Sequence, residues 1–319
     1  MFRGGIEMKK FIFKRILFLI PTLLVVIFIV NFIMALTPSS PGVLILGENA
    51  SQEAIELKNE ELGYNDPFFM QYIRYIKNAV KGDLGTSWKT GRKVTSEIMS
   101  RLPVTVTLAL GAVIIGTFVG ITLGIISAIK QYSFLDFCGT TLAMILASFP
   151  GFWIGMMLII LFSLILGILP SYGATSLKHF ILPWITAACP FIASQLRMTR
   201  TSMLEVIRMD YIRTARAKGQ KESKVITVHA LRNALLPVVT LIGIEFGGLL
   251  GGTVTIETVF TLPGVGSLII ESIRMKDIPV VIGATIMLVI GFSILMVIVD
   301  VLYAYIDPRI KSRYVGKHV

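Results

Sequence analysis

Between Asp210 and Pro237 the chain reads DYIRTARAKGQKESKVITVHALRNALLP, with Arg213, Arg216, Lys218, Lys221, Lys224 and Arg232 set against only Asp210 and Glu222. Guanidinium and ammonium groups at this density do the chemistry of recognition, since they form charge-assisted hydrogen bonds to acidic partners. Asp210 is an N-cap type of residue. From it the spacing puts Tyr211, Ile212 and Ala215 on one helical face and turns Arg213 and Arg216 away from it, and Gly219 falls where a helix stops. A second helix is predicted over 222–236, with Val225, Val228, His229 and Arg232 three or four residues apart. Two short helices meeting at a glycine, with the small Ala215 and Ala217 beside the turn, make an elbow suited to a groove on another protein. The competing reading is a loop whose positive charge only orients the chain in a membrane.

Glu245 is the second chemically conspicuous residue. It stands in the middle of an apolar run, where an acid costs ~2.5–3.5 kcal/mol on insertion scales, so a polar cavity or a partner has to offset it. It is either a lining residue of a transport path that meets a cationic part of the cargo, or a neutral or paired acid between subunits. His229 and Arg232 lie one turn apart and either hold the elbow's own backbone or touch its partner. Bond-making chemistry has no visible apparatus: the chain contains no phosphate-binding Gly-x-x-x-x-Gly-Lys-Ser/Thr loop, no Gly-x-Ser-x-Gly and no His-Glu-x-x-His. Three histidines and two cysteines without metal-ligand spacing suggest no metal site, and Cys138 and Cys189 read as small buried hydrophobes.

These residues are embedded in a chain of 319 residues that is 54% hydrophobic and 15% charged, with a mean hydropathy of +0.78. Such a composition places most of it in lipid. The net charge of +11 could suggest nucleic acid, but the charges fall between apolar runs and form no basic stripe interleaved with exposed aromatics.

The pattern predicts an all-α integral membrane protein with six transmembrane helices. A basic N-terminal tail leads into a first span at 16–36, kept rather than cleaved. Residues 37–101 form the one long polar region, with predicted helices over 51–62 and 68–81, and Phe69, Tyr72, Ile73, Ile76 and Val80 make one stripe on the second. The next span, 102–129, begins with Pro103 in its first turn. Residues 134–169 would run about 54 Å as one straight helix, too long for a core of about 30 Å. Pro150-Gly151 interrupts them, and a single kinked span is expected there. Further spans are predicted at 181–203, at 233–256 with close-approach glycines Gly243, Gly247, Gly248, Gly251 and Gly252, and at 279–306. This topology gathers 19 of the 30 basic residues on the side that holds both termini, which the positive-inside rule makes the cytoplasm.

The run Ala215-Arg-Ala-Lys-Gly219, followed by His229-Ala-Leu-Arg-Asn-Ala-Leu-Leu-Pro237, resembles the cytoplasmic "EAA" loop of ABC importer permeases in the form seen in the peptide and nickel subclass. Arg213, Thr214 and Ala215 stand where the family name implies Glu-Ala-Ala. The resemblance extends to the turn at 82–86, to residues 97–103, to IETVFTLPGVGSLIIESIRMKDIPVVIGA over 256–284 and to Asp307-Pro-Arg-Ile310, so it spans nearly the whole chain.

The resemblance implies a type I importer permease in a bacterial inner membrane, with an N-terminal tail and first span (1–36), an extracytoplasmic helical region (37–101), a five-helix core (102–306) with its coupling loop at 204–232, and a cytoplasmic tail (307–319). It implies no enzymatic activity and no cofactor on this chain. ATP and Mg would sit on two separate ATPase subunits, beside a second, related permease and an extracytoplasmic binding protein. ATPase coupling would fall to Asp210, Tyr211, Arg213, Ala215, Arg216, Ala217, Gly219, His229 and Arg232, and the translocation path to Glu245, Gly247 and Gly251. Peptides are the expected cargo and nickel the alternative. A stand-alone secondary transporter would instead show internal repeats and helices broken at the midplane.

Overall fold

The computed structural model describes residues 3–36 and 40–306; the terminal Asp307-Pro308 and the tail after it lie outside them. The helices are α1 (Arg3–Ala35), α2 (Pro41–Leu46), α3 (Gln52–Glu61), α4 (Phe68–Val80), α5 (Val94–Ile129), α6 (Phe134–Ser148) and α7 (Gly151–Leu158). They continue as α8 (Lys178–Ile207), α9 (Asp210–Ala217), α10 (Glu222–Lys224), α11 (Leu231–Val259), α12 (Val265–Arg274) and α13 (Ile278–Ile306). No strand forms among the described residues, which is what 54% apolar composition gives when backbone groups must bond within their own segment in lipid. Four helical stretches are long and apolar enough to cross a membrane: Val94–Ile129, Lys178–Ile207, Glu222–Leu249 and Ile278–Ile298. The bent pair Phe134–Ser148 and Gly151–Ile165 passes the same test only when its two members are counted together, as a broken span or a re-entrant loop, and Leu17–Ile33 is a shorter apolar stretch of α1.

Three sequence expectations change. The single kinked helix over 134–169 is two helices bent by 103°. Pro150 has no amide hydrogen to continue α6 and drives Phe149 before it into the extended region, at φ −92° and ψ 137°, while Pro150 itself is extended. Two successive extended residues reverse a helix far more than a proline kink does. Secondly, Pro103 is not at a helix start: α5 begins nine residues earlier, at Val94, and carries Pro103 inside it. Finally, the predicted second helix of the elbow is not separate from the span after it. α10 passes through a π-helical segment, Val225–Ala230, directly into α11.

The residues divide into two compact units, one formed by the chain up to Val104 with Pro263–Ile294, the other by Thr105–Leu262 with the end of α13. In the first, Leu84, Val94, Ile98, Val265, Leu268, Val280 and Ala284 close a core. Buried Asp277 fastens the turn before α5, accepting hydrogen bonds from the Ser87 hydroxyl and from the amides of Trp88 (3.0 Å) and Lys89 (3.4 Å). α4 lies along α1: Tyr72 donates to the Leu24 carbonyl at 2.9 Å, and Phe68 and Tyr72 meet Phe28 edge to face. The stripe read from the sequence is therefore split. Tyr72 and Ile76 pack on α1 while Phe69, Ile73 and Val80 stay exposed.

The second unit is built around α8, which buries Leu182, Phe191, Ala193, Gln195, Leu196 and Met203 almost completely. α5 approaches it so closely that a Cβ on Gly116, Gly120 or Gly124 would sit 2.6 Å from Phe191, Gln195 or Thr199. Trp184 adds a hydrogen bond from its indole nitrogen to the Thr107 carbonyl at 2.9 Å. Gly120→Val should therefore force α5 off α8. Its first contacts are a Cβ and the Ile192 carbonyl at 3.0 Å, neither of which can swing aside. We expect Gly120→Val to reduce the folded, membrane-extractable protein severalfold, whereas Gly248→Val, with nothing within 4 Å of the added Cβ, should not. Fluorescence size exclusion of detergent extracts reads both.

At the other end of α8, Arg200 makes a two-pronged ion pair with Asp136 of α6, at 2.7 and 2.8 Å. The Ser127 hydroxyl of α5 and the Tyr132 amide (3.0 Å) donate to the same carboxylate. Three helices are thereby fixed to one buried acid.

Candidate functional site

The elbow is held from beneath. Ile212 and Ala215 of α9, Val225 and Ala230 of the π segment and Ala234 of α11 close a cluster with Ala128 of α5 and Met203 of α8. Ile212, Val225, Ala230 and Met203 are wholly buried, and each such side chain contributes roughly 1.5–3 kcal/mol for the largest of them. This cluster makes the elbow a body that moves with the ends of α5 and α8.

Polar contacts stiffen its turn. Gly219, at φ 72°, ends α9 in the left-handed region. Arg216 reaches across that turn to Glu222 with bonds of 2.7, 3.1 and 3.2 Å, and His229 and Gln220 join at 2.7 Å. Asn233 donates to the Tyr211 hydroxyl at 2.8 Å, tying α9 to α11. The residues singled out in the sequence thus divide by position. Ala215 lies in the buried cluster, and His229 bonds to Gln220 across the turn. Asp210, Tyr211, Arg213, Arg216, Ala217, Gly219 and Arg232 are exposed, and Asp210, paired only loosely with Arg213 at 3.6 Å, leaves both side chains largely free. Asp210 is the first helical residue, with Met209 in the N-cap position; its charge still favours that end of the helix.

Among the described residues, a cavity of about 540 Å³ opens between α7, α8 and α11. Glu245 lines it, and so does Gly248. Gly247 is buried beside them, and Gly251 lies farther along α11, where only the backbone is described. Thr186, Pro190, Phe191 and Ser194 supply the α8 wall. Gln195, next to that wall and fully buried, donates from Nε2 to the Glu245 carboxylate at 3.3 Å. Sequence reasoning missed Gln195, Ser194 and Thr186. Pro190 was the available signal, because a proline inside a span leaves a carbonyl unbonded one turn earlier, and such places attract polar side chains.

Glu257 was also missed. It lies in the last turn of α11, is wholly buried and accepts a hydrogen bond from Thr105 at 2.7 Å.

Known proteins match this arrangement along its length. The profile described as "Binding-protein-dependent transport system inner membrane component" matches residues 120–312, and that for the N-terminal part of such membrane components matches residues 8–109. The glutathione transport system permease protein GsiC of Escherichia coli O6:H1 is 42% identical over 306 residues, covering 96% of this chain and 100% of its own. GsiC of Salmonella paratyphi A is 41% identical over the same share. Among solved structures, the inward-facing MetNI methionine ABC transporter aligns with a TM-score of 0.56 at 20% identity, covering 66% of this chain and 96% of that one. This last likeness is one of fold.

Proposed function

The chain belongs to the inner-membrane components of binding-protein-dependent transport systems, the permeases of ABC importers, and from that premise we propose that it carries small peptides of the glutathione kind inward. It is a multi-pass protein of the inner membrane. In this reading it has six spans with both ends in the cytoplasm, as in type I importers, and pairs with a second, related permease. Two ATPase subunits, holding ATP and Mg, dock on the exposed face of the elbow. A binding protein delivers cargo from the other side. The chain itself hydrolyses nothing and lets cargo pass along the wall that carries Glu245, Gly247 and Gly251.

The observation that carries the reading is mechanical: a cationic elbow with an exposed outer face is seated by a buried cluster on the ends of α5 and α8. Displacing the elbow therefore tilts those helices, the rigid-body motion that alternating access needs. Substrate class rests on the relatives, which match over almost their whole length; nickel has no such support.

The test is reconstitution of this permease with its second permease, ATPases and binding protein in proteoliposomes. ATP-dependent uptake of labelled glutathione or a short peptide is expected, with none when the chain is reconstituted alone. Ion- or proton-driven uptake by the lone chain would overturn the reading.

A further inference from the structure

Beside Glu245 the α8 wall of the cavity offers mainly hydrogen-bond acceptors, while the part contributed by α7 begins with the amides of Gly151 and Phe152. Thr186 directs its single hydroxyl hydrogen to the Leu182 carbonyl at 2.8 Å, and Ser194 directs its own to the Pro190 carbonyl at 2.8 Å. Their lone pairs remain. Pro190 has no amide hydrogen, so the Thr186 carbonyl lacks its helical donor. Gln195 gives an N–H to Glu245, while its own Oε1 is buried with no hydrogen-bond partner. The Glu245 carboxylate has Gln195 as a donor and the Ser194 hydroxyl beside it, with lone pairs that can take about four hydrogen bonds. Arg197 acts on Glu245 through space but makes no ion pair with it. The remaining walls include the rings of Phe152 and Phe191, whose faces also attract cations.

The wall around Glu245 suits a group that only donates. A primary ammonium has three donors, one positive charge and no acceptor. We propose that the cavity binds the protonated α-amino end of a small peptide, with Glu245 as its counter-charge and Ser194 as a neighbouring acceptor. Its volume of about 540 Å³ lies within the ~300–1,000 Å³ of small-molecule sites. The proposal rests on the import reading above and adds which end of the cargo this permease senses, independently of any selection by the binding protein.

The test places a reporter thiol on the wall. Gly248→Cys fits, since the cavity is open there and nothing lies within 4 Å of the added Cβ. Cys138→Ser and Cys189→Ala remove the native thiols. The full complex, without binding protein, is labelled with a small maleimide in the presence of S-methylglutathione or its N-acetylated form, neither of which has a thiol to consume the reagent.

The free-amino peptide should slow labelling at concentrations at least about tenfold lower than the acetylated one, the effect of one charge-assisted contact. Glu245→Gln should erase that preference. Equal protection by both peptides, protection by neither, or a preference that survives Glu245→Gln would each overturn the proposal. ATP-driven uptake measured on the same preparation separates the two questions: uptake without amine preference removes this inference alone, and absence of uptake removes the import reading beneath it.

Discussion

Gly219→Val should cut ATP-driven uptake by about tenfold or more while leaving the protein in the membrane at its normal level. Gly219 sits at φ 72° with nothing within 4 Å of where a Cβ would stand, so a side chain there meets no neighbour and the whole effect is backbone strain. A β-branched residue in the left-handed region costs about 1–3 kcal/mol. The turn can relieve this by opening, which swings the exposed Tyr211 and Arg213 away from their docked geometry. The buried cluster under the elbow does not include Gly219, so insertion and folding are untouched. Gly219→Asn should restore most uptake, since asparagine tolerates this conformation. Ala215→Arg is the contrasting case. It would force a guanidinium into the closed cluster with Ile212 and Met203, and protein should be lost with uptake in proportion. Uptake per ATP hydrolysed, set beside the amount of protein in the membrane, separates the two; normal coupling in Gly219→Val would remove the elbow from the mechanism.

Asp136→Asn should be the most damaging single change to stability. The carboxylate is 6% exposed and holds Arg200 by two bonds, with Ser127 and the Tyr132 amide on the same oxygens. Removing the charge leaves a guanidinium with no partner in a confined site, which costs about 3–5 kcal/mol. Purified protein should show a fall of several degrees in its melting midpoint in detergent. Asp136→Leu with Arg200→Met should recover most of the loss, because a buried ion pair is often matched by apolar packing of similar volume. A double variant less stable than either single change would mean that the pair contributes net stability rather than fixing α6 against α8.

Local signals in the sequence were sufficient wherever the cause is local. The charge block and Gly219 located the elbow, the helix predicted over 51–62 anticipated α3, and a lone acid in an apolar run marked Glu245. What escaped depends on neighbours distant in sequence. Ala215 looks like a small surface residue until α5 and α8 are placed beneath it. Gln195, Ser194 and Thr186 read as ordinary polar residues of a span, and only the packing of α11 against α8 turns them into one wall. The glycines of α11 drew attention for close approach, yet Gly116-x-x-x-Gly120-x-x-x-Gly124 carries the same spacing on α5, and there the backbones do come together. Pro150-Gly151 signalled an interruption, but its size depends on Phe149 and Pro150 both adopting extended angles, which no count of apolar residues reveals.

The uninterrupted passage from α10 through the π segment into α11 sets a limit of its own. From Glu222 to Glu245 the rod runs roughly 35 Å at 1.5 Å per residue, so a tilt of about 10° at one end sweeps the other by about 6 Å. Its azimuth matters as much as its length. Inserting or deleting a single residue between Lys224 and Leu231 would spin everything beyond it by about 100° and carry Glu245 round to another face, whatever amino acid was added or lost. In that stretch the residue count is constrained more tightly than the residue types.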